Sequence, residues 1–344
     1  MTRTSKTTGK ITRVAVRLSS AAFFAAAAMA QSAFAESKAP AVVPGQTPLD
    51  LVNALHTAFG EHHARAVHTK GVLMMGTFAP SKEAQAYTSA PIFTGGALPI
   101  IARFSDFAGI PDIPDTDSGA AMPTGLTIKI KAKGGTDYDF ASDQHNGFIV
   151  ATADEFAAFL RAVGASGVGV PHPTPVEQFL STRPISRAFV ASLTQPASYA
   201  TATYFGINSF KWTNAKGQSF FVRYRYVPRA GEHYLKPEEL KTRGPNYLQE
   251  DIAQRVAEAP IVFDWYAQVA EPGDKIEDPS IAWPETRKLV RLGVFTIDKL
   301  PGNTAALDRQ TVVLVGQPHP GIEPADPMLV LRNTAYPISL GERQ

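Results

Sequence analysis

The feature that most limits what this chain can fold into is its two-residue alternation. Phe220, Val222, Tyr224 and Tyr226 alternate with Phe221, Arg223 and Arg225, and Leu126, Ile128 and Ile130 alternate with Thr127, Lys129 and Lys131. Successive side chains of a strand point to opposite faces, so this is the pattern of antiparallel strands with one face buried and one wet. Asn214-Ala215-Lys216-Gly217, between Phe210-Lys211-Trp212 and Gln218-Ser219-Phe220, marks a hairpin. Residues 261–269 and 289–297 supply two more strands. Apolar spacing predicts helices over residues 153–163, 176–192 and 247–259, and Leu51, Leu55 and Phe59 give a helix over residues 49–66 one buried stripe. The expected fold class is α+β: one antiparallel sheet, long enough to close into a barrel, with helices around it.

The beginning of the chain belongs to export rather than to that fold. Lys6, Lys10, Arg13 and Arg17 precede a short run rich in Ala and Phe over residues 18–30, and Ala33-Phe34-Ala35 has the small-x-small form of a cleavage site. The run is shorter than the ~20 apolar residues that cross a bilayer, so it reads as a signal peptide removed after Ala35, with no membrane span left and a periplasmic destination. Residues 36–47, containing Pro40 and Pro44, read as a flexible leader, and residues 48–344 as a single domain. Without the basic residues of the signal the chain is close to neutral, which gives nucleic acid no electrostatic hold. The sequence has no cysteine. That excludes disulfides, thiolate metal sites, covalent haem attachment through C-x-x-C-H and thiol peroxidase chemistry together.

Two segments carry chemistry: Arg65-Ala66-Val67-His68-Thr69-Lys70-Gly71 and Arg332-Asn333-Thr334-Ala335-Tyr336. The first resembles the distal-histidine segment of haem catalases and the second their proximal tyrosine ligand. With Arg103-Phe104-Ser105, Phe205-Gly206-Ile207-Asn208-Ser209-Phe210-Lys211-Trp212 and Trp283-Pro284, the chain from about residue 49 to 343 resembles the catalase superfamily. Closest is its small exported branch, the catalase-related peroxidases, which keep the barrel and haem pocket without the additional terminal domains. The resemblance implies haem b, bound non-covalently through its iron, and hydrogen peroxide or an organic hydroperoxide as oxidant of a small organic reductant, with weak catalase activity. It licenses no NADPH site, and it is compatible with a monomer or a small homo-oligomer.

The resemblance also implies roles. His68 becomes the distal acid and base, taking a proton from one peroxide oxygen and returning it to the other, which a neutral imidazole can do near neutral pH. Ser105 becomes the partner that fixes its tautomer. Tyr336 becomes the phenolate ligand of the iron, and Arg332, four residues earlier on the same helical face, depresses the phenol's pKa. Arg65, Arg103 and Arg343 match the residues that hold haem propionates, a task suited to bidentate guanidinium. Phe156 falls on the ring that stacks against the haem.

Three positions depart from the family. Asp143 stands where the catalytic asparagine belongs, and an ionised carboxylate can accept but not donate a hydrogen bond; Asn146 compensates if the register slips. Phe107 replaces a small channel residue, and Met122 sits near the place of a channel carboxylate. Two rivals to the peroxidase remain: an enzyme that rearranges fatty-acid hydroperoxides, and a haem-binding protein without turnover. Other motifs carry less. Asp115-Thr116-Asp117-Ser118-Gly119 opens like a calcium loop but lacks the downstream Glu, and reads as a solvated turn. His56, Glu61, His62 and His63 have incomplete zinc spacing, and Gly164, Gly167 and Gly169 form a loop rather than a dinucleotide fingerprint.

Overall fold

A computed structural model of the chain describes residues 45–343. The expected signal peptide and most of the leader lie outside the described residues. The last part of the leader is tied down rather than flexible, because the backbone N–H groups of Gly45 and Gln46 donate to the Asp154 carboxylate.

In chain order the elements are α1 (Pro48–Phe59), β1 (Gly71–Pro80), β2 (Leu98–Ser105), β3 (Gly125–Lys131), β4 (Asp137–Asp143), α2 (Ala153–Gly164), α3 (Pro175–Ser181), α4 (Pro184–Ser192), β5 (Tyr204–Thr213), β6 (Ser219–Pro228), α5 (Pro237–Leu240), α6 (Tyr247–Glu258), β7 (Ile261–Val269), β8 (Leu289–Lys299), α7 (Thr304–Gln310), β9 (Ile322–Pro324) and α8 (Pro327–Gly341). The strands pair antiparallel in the order β4-β3-β2-β1-β8-β7-β6-β5, and a bridge between Asp143 and Phe205 closes β4 onto β5. The expected α+β barrel is therefore present, and the short β9 pairs with β5 outside the closed ring. Closure leaves no edge among the eight strands, and the inward faces fill with rings. Phe78, Phe104, Tyr204, Trp212, Tyr226, Phe263 and Trp265 are all completely buried there.

Two predicted helices differ from the structure. The first stops at Phe59, because Gly60 takes φ +84°, and residues 60–70 run as a loop instead of continuing to 66. The helix expected over residues 176–192 is two helices. Pro184 has no N–H to donate and forces Arg183 out of helical geometry, so α3 ends and α4 begins there. The Asp115–Gly119 turn is not fully solvated either. Asp115 is completely buried, paired with Lys70, and accepts from the N–H of Leu248 near the start of α6.

Candidate active site

The loop after α1 returns the chain to the barrel mouth and sets His68 there. His68 has φ +55°, a left-handed conformation costly for a residue with a Cβ. Its N–H is held by the carbonyl of Phe107 at 2.7 Å. Gly71, at the start of β1, is required by crowding: a Cβ would lie 2.4 Å from the carbonyl oxygen of Phe104 and 2.7 Å from a terminal nitrogen of Arg103.

His68 Nδ1 lies 2.9 Å from the carbonyl oxygen of Asp106 and 3.1 Å from Ser105 Oγ. A carbonyl only accepts, so the proton sits on Nδ1 and the Nε2 lone pair is free. Ser105 therefore shares the task foreseen for it with a main-chain atom. Burial first, then the nearby charge of Arg103, lowers the imidazole pKa to about 3, so His68 is neutral at any working pH. Phe107, expected to line the peroxide channel, lines the cavity and packs edge-on against the His68 ring at 5.5 Å.

Across from Nε2, at 3.9 Å, lies Asp143 Oδ1. The barrel-closing bridge holds Asp143 at this point. Both side chains border the same cavity and are only partly exposed, and burial raises the Asp143 pKa to about 6 against the opposing pull of Arg332. Asn146 does not substitute for it. Its amide turns outward to Glu285, which removes the alternative register.

The other wall of the cavity is α8. Asp326 caps this helix by accepting from the N–H of Met328, and Arg332 and Tyr336 follow on one face. Arg332 Nε donates to Tyr336 Oη at 2.6 Å and Arg332 Nη1 to Asn208 Oδ1 at 2.7 Å, while Asn208 Nδ2 donates to Asp326 Oδ2 at 2.7 Å. Asn208, on β5, was missed as a functional residue in the sequence, although the segment containing it was singled out. Burial works against the Arg332 charge, but Tyr336 and Asp143 more than offset it and the guanidinium stays above its ordinary pKa.

The three remaining arginines gather at one end of the cavity that His68 and Tyr336 border. Arg65 and Arg103 both bond the carboxylate of Asp308 on α7, at 2.9 and 2.6 Å, and Arg343 donates to the Thr311 carbonyl at 3.2 Å. Asp308 is a second residue unseen in the sequence. Burial lowers the pKa of Arg65 to about 9 and that of Arg343 to about 10, which leaves both cationic at neutral pH. Three guanidiniums thus face one carboxylate, and the buried Nε of Arg343 has no hydrogen-bond partner. Phe156 lines the apolar part of the cavity, tilted against Phe148 at 4.9 Å. Met122 and Asp117 also line it, so a carboxylate does border this passage, five positions from where it was sought.

An apolar slot with a phenol oxygen on one wall, an imidazole lone pair on the other and surplus guanidiniums at one end fits a flat, apolar, dianionic metal macrocycle. The residues present therefore fit haem.

A family profile described as catalase matches residues 51–343. The chain is 32% identical over 309 residues to a protein named catalase-related peroxidase from Synechococcus elongatus, covering 87% of this chain and 89% of that one. It is also 32% identical over 305 residues to a protein of the same name from Mycolicibacterium paratuberculosis, covering 86% and 94%. Among solved structures, a fungal catalase superposes with a TM-score of 0.73 at 21% identity, over 81% of this chain and 59% of its own.

Proposed function

The chain belongs to the catalase family, and from that premise we propose that it is a periplasmic haem peroxidase, using hydrogen peroxide or a small organic hydroperoxide to oxidise small organic reductants, with little dismutation. The observation that carries this is the facing pair of His68, neutral with Nε2 free, and Tyr336, bonded by Arg332, on one cavity. The N-terminal signal sequence supports the periplasm.

Haem held here would supply an iron centre able to take up and pass on the oxidising power of peroxide. The rest is work for the chain's own residues. Tyr336 would offer the ligand oxygen, which Arg332 Nε holds in place by a hydrogen bond. Arg65, Arg103 and Arg343 would hold the two carboxylates of the macrocycle, and Phe156 would pack against its ring. His68 Nε2 accepts the proton of the nearer peroxide oxygen, then donates it to the farther one so that water or an alcohol leaves. The Asp106 carbonyl keeps Nδ1–H in place during both transfers.

Dismutation asks more, because a second peroxide must be held by donors beside His68. Asp143 gives that donor only when protonated, and Phe107 takes up room next to the imidazole. A phenolic reductant needs neither. The apolar lining contributed by Phe59, Phe107, Phe148, Phe159 and Phe189 suits an organic molecule. The test is haem reconstitution followed by rapid mixing with hydrogen peroxide, reading the haem absorbance, oxygen release and oxidation of a phenolic dye. Dye oxidation dominating oxygen release supports the proposal. Haem uptake without any reaction with peroxide rejects it.

A further inference from the structure

On the footing of that haem-peroxidase reading, we propose that Tyr199 is a redox-active residue of the site, giving one electron to the peroxide-oxidised haem and its phenolic proton to Asp106. Tyr199 is completely buried, and its Oη donates to Asp106 Oδ1 at 2.7 Å. Asp106 is also completely buried, and its Oδ2 has no hydrogen-bond partner among the described residues, so the carboxyl has acceptor capacity to spare. It is the same Asp106 whose carbonyl holds His68 Nδ1. One residue thus separates the phenol from the distal histidine.

A phenol that loses an electron becomes a strong acid and must shed its proton to a base within reach. Burial, and then the charge of Asp115, pushes the Asp106 carboxyl up to about 8, so the ionised acceptor that this step needs is present above that pH. The other buried tyrosines lack such a partner. Tyr204 donates to the carbonyl of Tyr199 and Tyr247 to that of Pro196, Tyr224 accepts from Trp212 Nε1, and the Tyr226 hydroxyl is unpartnered. A tyrosine bonded to a carboxylate also occurs at Tyr234 with Glu232, where it is exposed. The Tyr199 ring stacks on Phe104 at 5.4 Å and 16°, sealed inside the barrel, so a radical formed there is shielded from solvent and from bulky quenchers.

The step balances. Peroxide takes two electrons from the haem-loaded protein and leaves as water. Above about pH 8, where Asp106 is ionised, Tyr199 then returns one electron to the haem while its O–H bond breaks and the Asp106 carboxylate takes the proton, leaving a neutral tyrosyl radical beside a carboxylic acid. A phenol-type reductant later supplies one electron through the haem pocket, and the proton goes back from Asp106 to Tyr199. The residue stores one oxidising equivalent between two single-electron reductants.

The experiment is freeze-quench electron paramagnetic resonance of the haem-loaded full chain mixed with hydrogen peroxide above about pH 8, where Asp106 is ionised, with the haem absorbance followed in parallel. The parent should give a tyrosyl signal that narrows when the protein is grown on ring-deuterated tyrosine. Tyr199→Phe, which keeps the stacked ring, should lose most of that signal at equal haem oxidation, and Asp106→Asn should lower it. Oxidised haem in the parent with no tyrosyl signal, or an undiminished signal in Tyr199→Phe, overturns the proposal. Should Tyr199→Phe take up no haem, an undiminished signal in Asp106→Asn overturns it instead. A parent that binds no haem defeats the functional reading first, and so separates the two failures.

Discussion

His68 and Asp143 face each other at 3.9 Å and are displaced from their ordinary pKa values in opposite directions, one to about 3 and one to about 6. Burial does both, since it disfavours whichever form is charged. His68 is then a neutral base across the neutral range, and replacing it by alanine should slow reaction with peroxide by about 10²–10⁴-fold, the usual worth of a positioned acid–base group. Stopped-flow absorbance checks this, and a variant as fast as the parent would exclude His68 from proton transfer. Asp143 behaves as a switch of donor capacity. Below about 6 it carries a proton and can donate to peroxide; above, it only accepts. The ratio of oxygen release to dye oxidation should therefore rise in the parent as pH falls through about 6, and stay flat and higher in Asp143→Asn, whose amide donates at every pH. A parent ratio indifferent to pH would show that Asp143 does not limit dismutation. His68, Ser105 and Tyr336 were legible through the family resemblance of the segments that carry them, and the structure gathers all three around one cavity. The Asp106 carbonyl was not, since a main-chain oxygen has no signature. Neither was Asp308, which meets Arg103 across 205 positions.

Helix α8 is the element on which the site turns. Its cap, Asp326, and its ligand candidate, Tyr336, are the two ends of one buried chain of hydrogen bonds that passes through Arg332 and Asn208. Asn208→Ala would leave an Arg332 nitrogen and an Asp326 oxygen without partners inside the protein, where an unsatisfied group costs about 1–3 kcal/mol. Denaturant unfolding of the haem-free protein should show a loss of that size, and no measurable loss would mean that water or a neighbour replaces the amide. The amphipathic stripe of α8 was harder to read than the alternation of β3 and β6. Pro337 interrupts it directly after Tyr336, and Val330 on its outer side is 62% exposed. The strands were readable because a barrel wall has one dry and one wet face throughout, and β5 and β6 met at the predicted hairpin, where Asn214 Oδ1 accepts from the N–H groups of Lys216 and Gln218. Helix ends were not, because Gly60 and Pro184 act through backbone geometry and leave the apolar period on either side intact.

At the scale of the whole molecule the barrel and its α1–α2–α8 flank divide the work. The sealed aromatic interior supplies stability, and the cavity lies where the barrel mouth meets Val67, Phe156, Leu331 and Ala335 of the flanking apolar cluster. Closure at Asp143–Phe205 ties the fold to the chemistry, since the last ladder pair of the ring is also the last carboxyl of the site. Export is expected to leave Glu36 as the first residue of the mature protein, which N-terminal sequencing of periplasmic material would establish; material beginning at Met1 would contradict cleavage. The account as a whole rests on haem held by Tyr336. The most direct test is the ferric absorption spectrum of the haem-reconstituted protein beside that of Tyr336→Phe. The parent should show one equivalent of haem with the bands of a phenolate-bound ferric iron, and the variant should lose the haem or lose those bands. An unchanged spectrum at full haem occupancy in Tyr336→Phe would contradict the assignment.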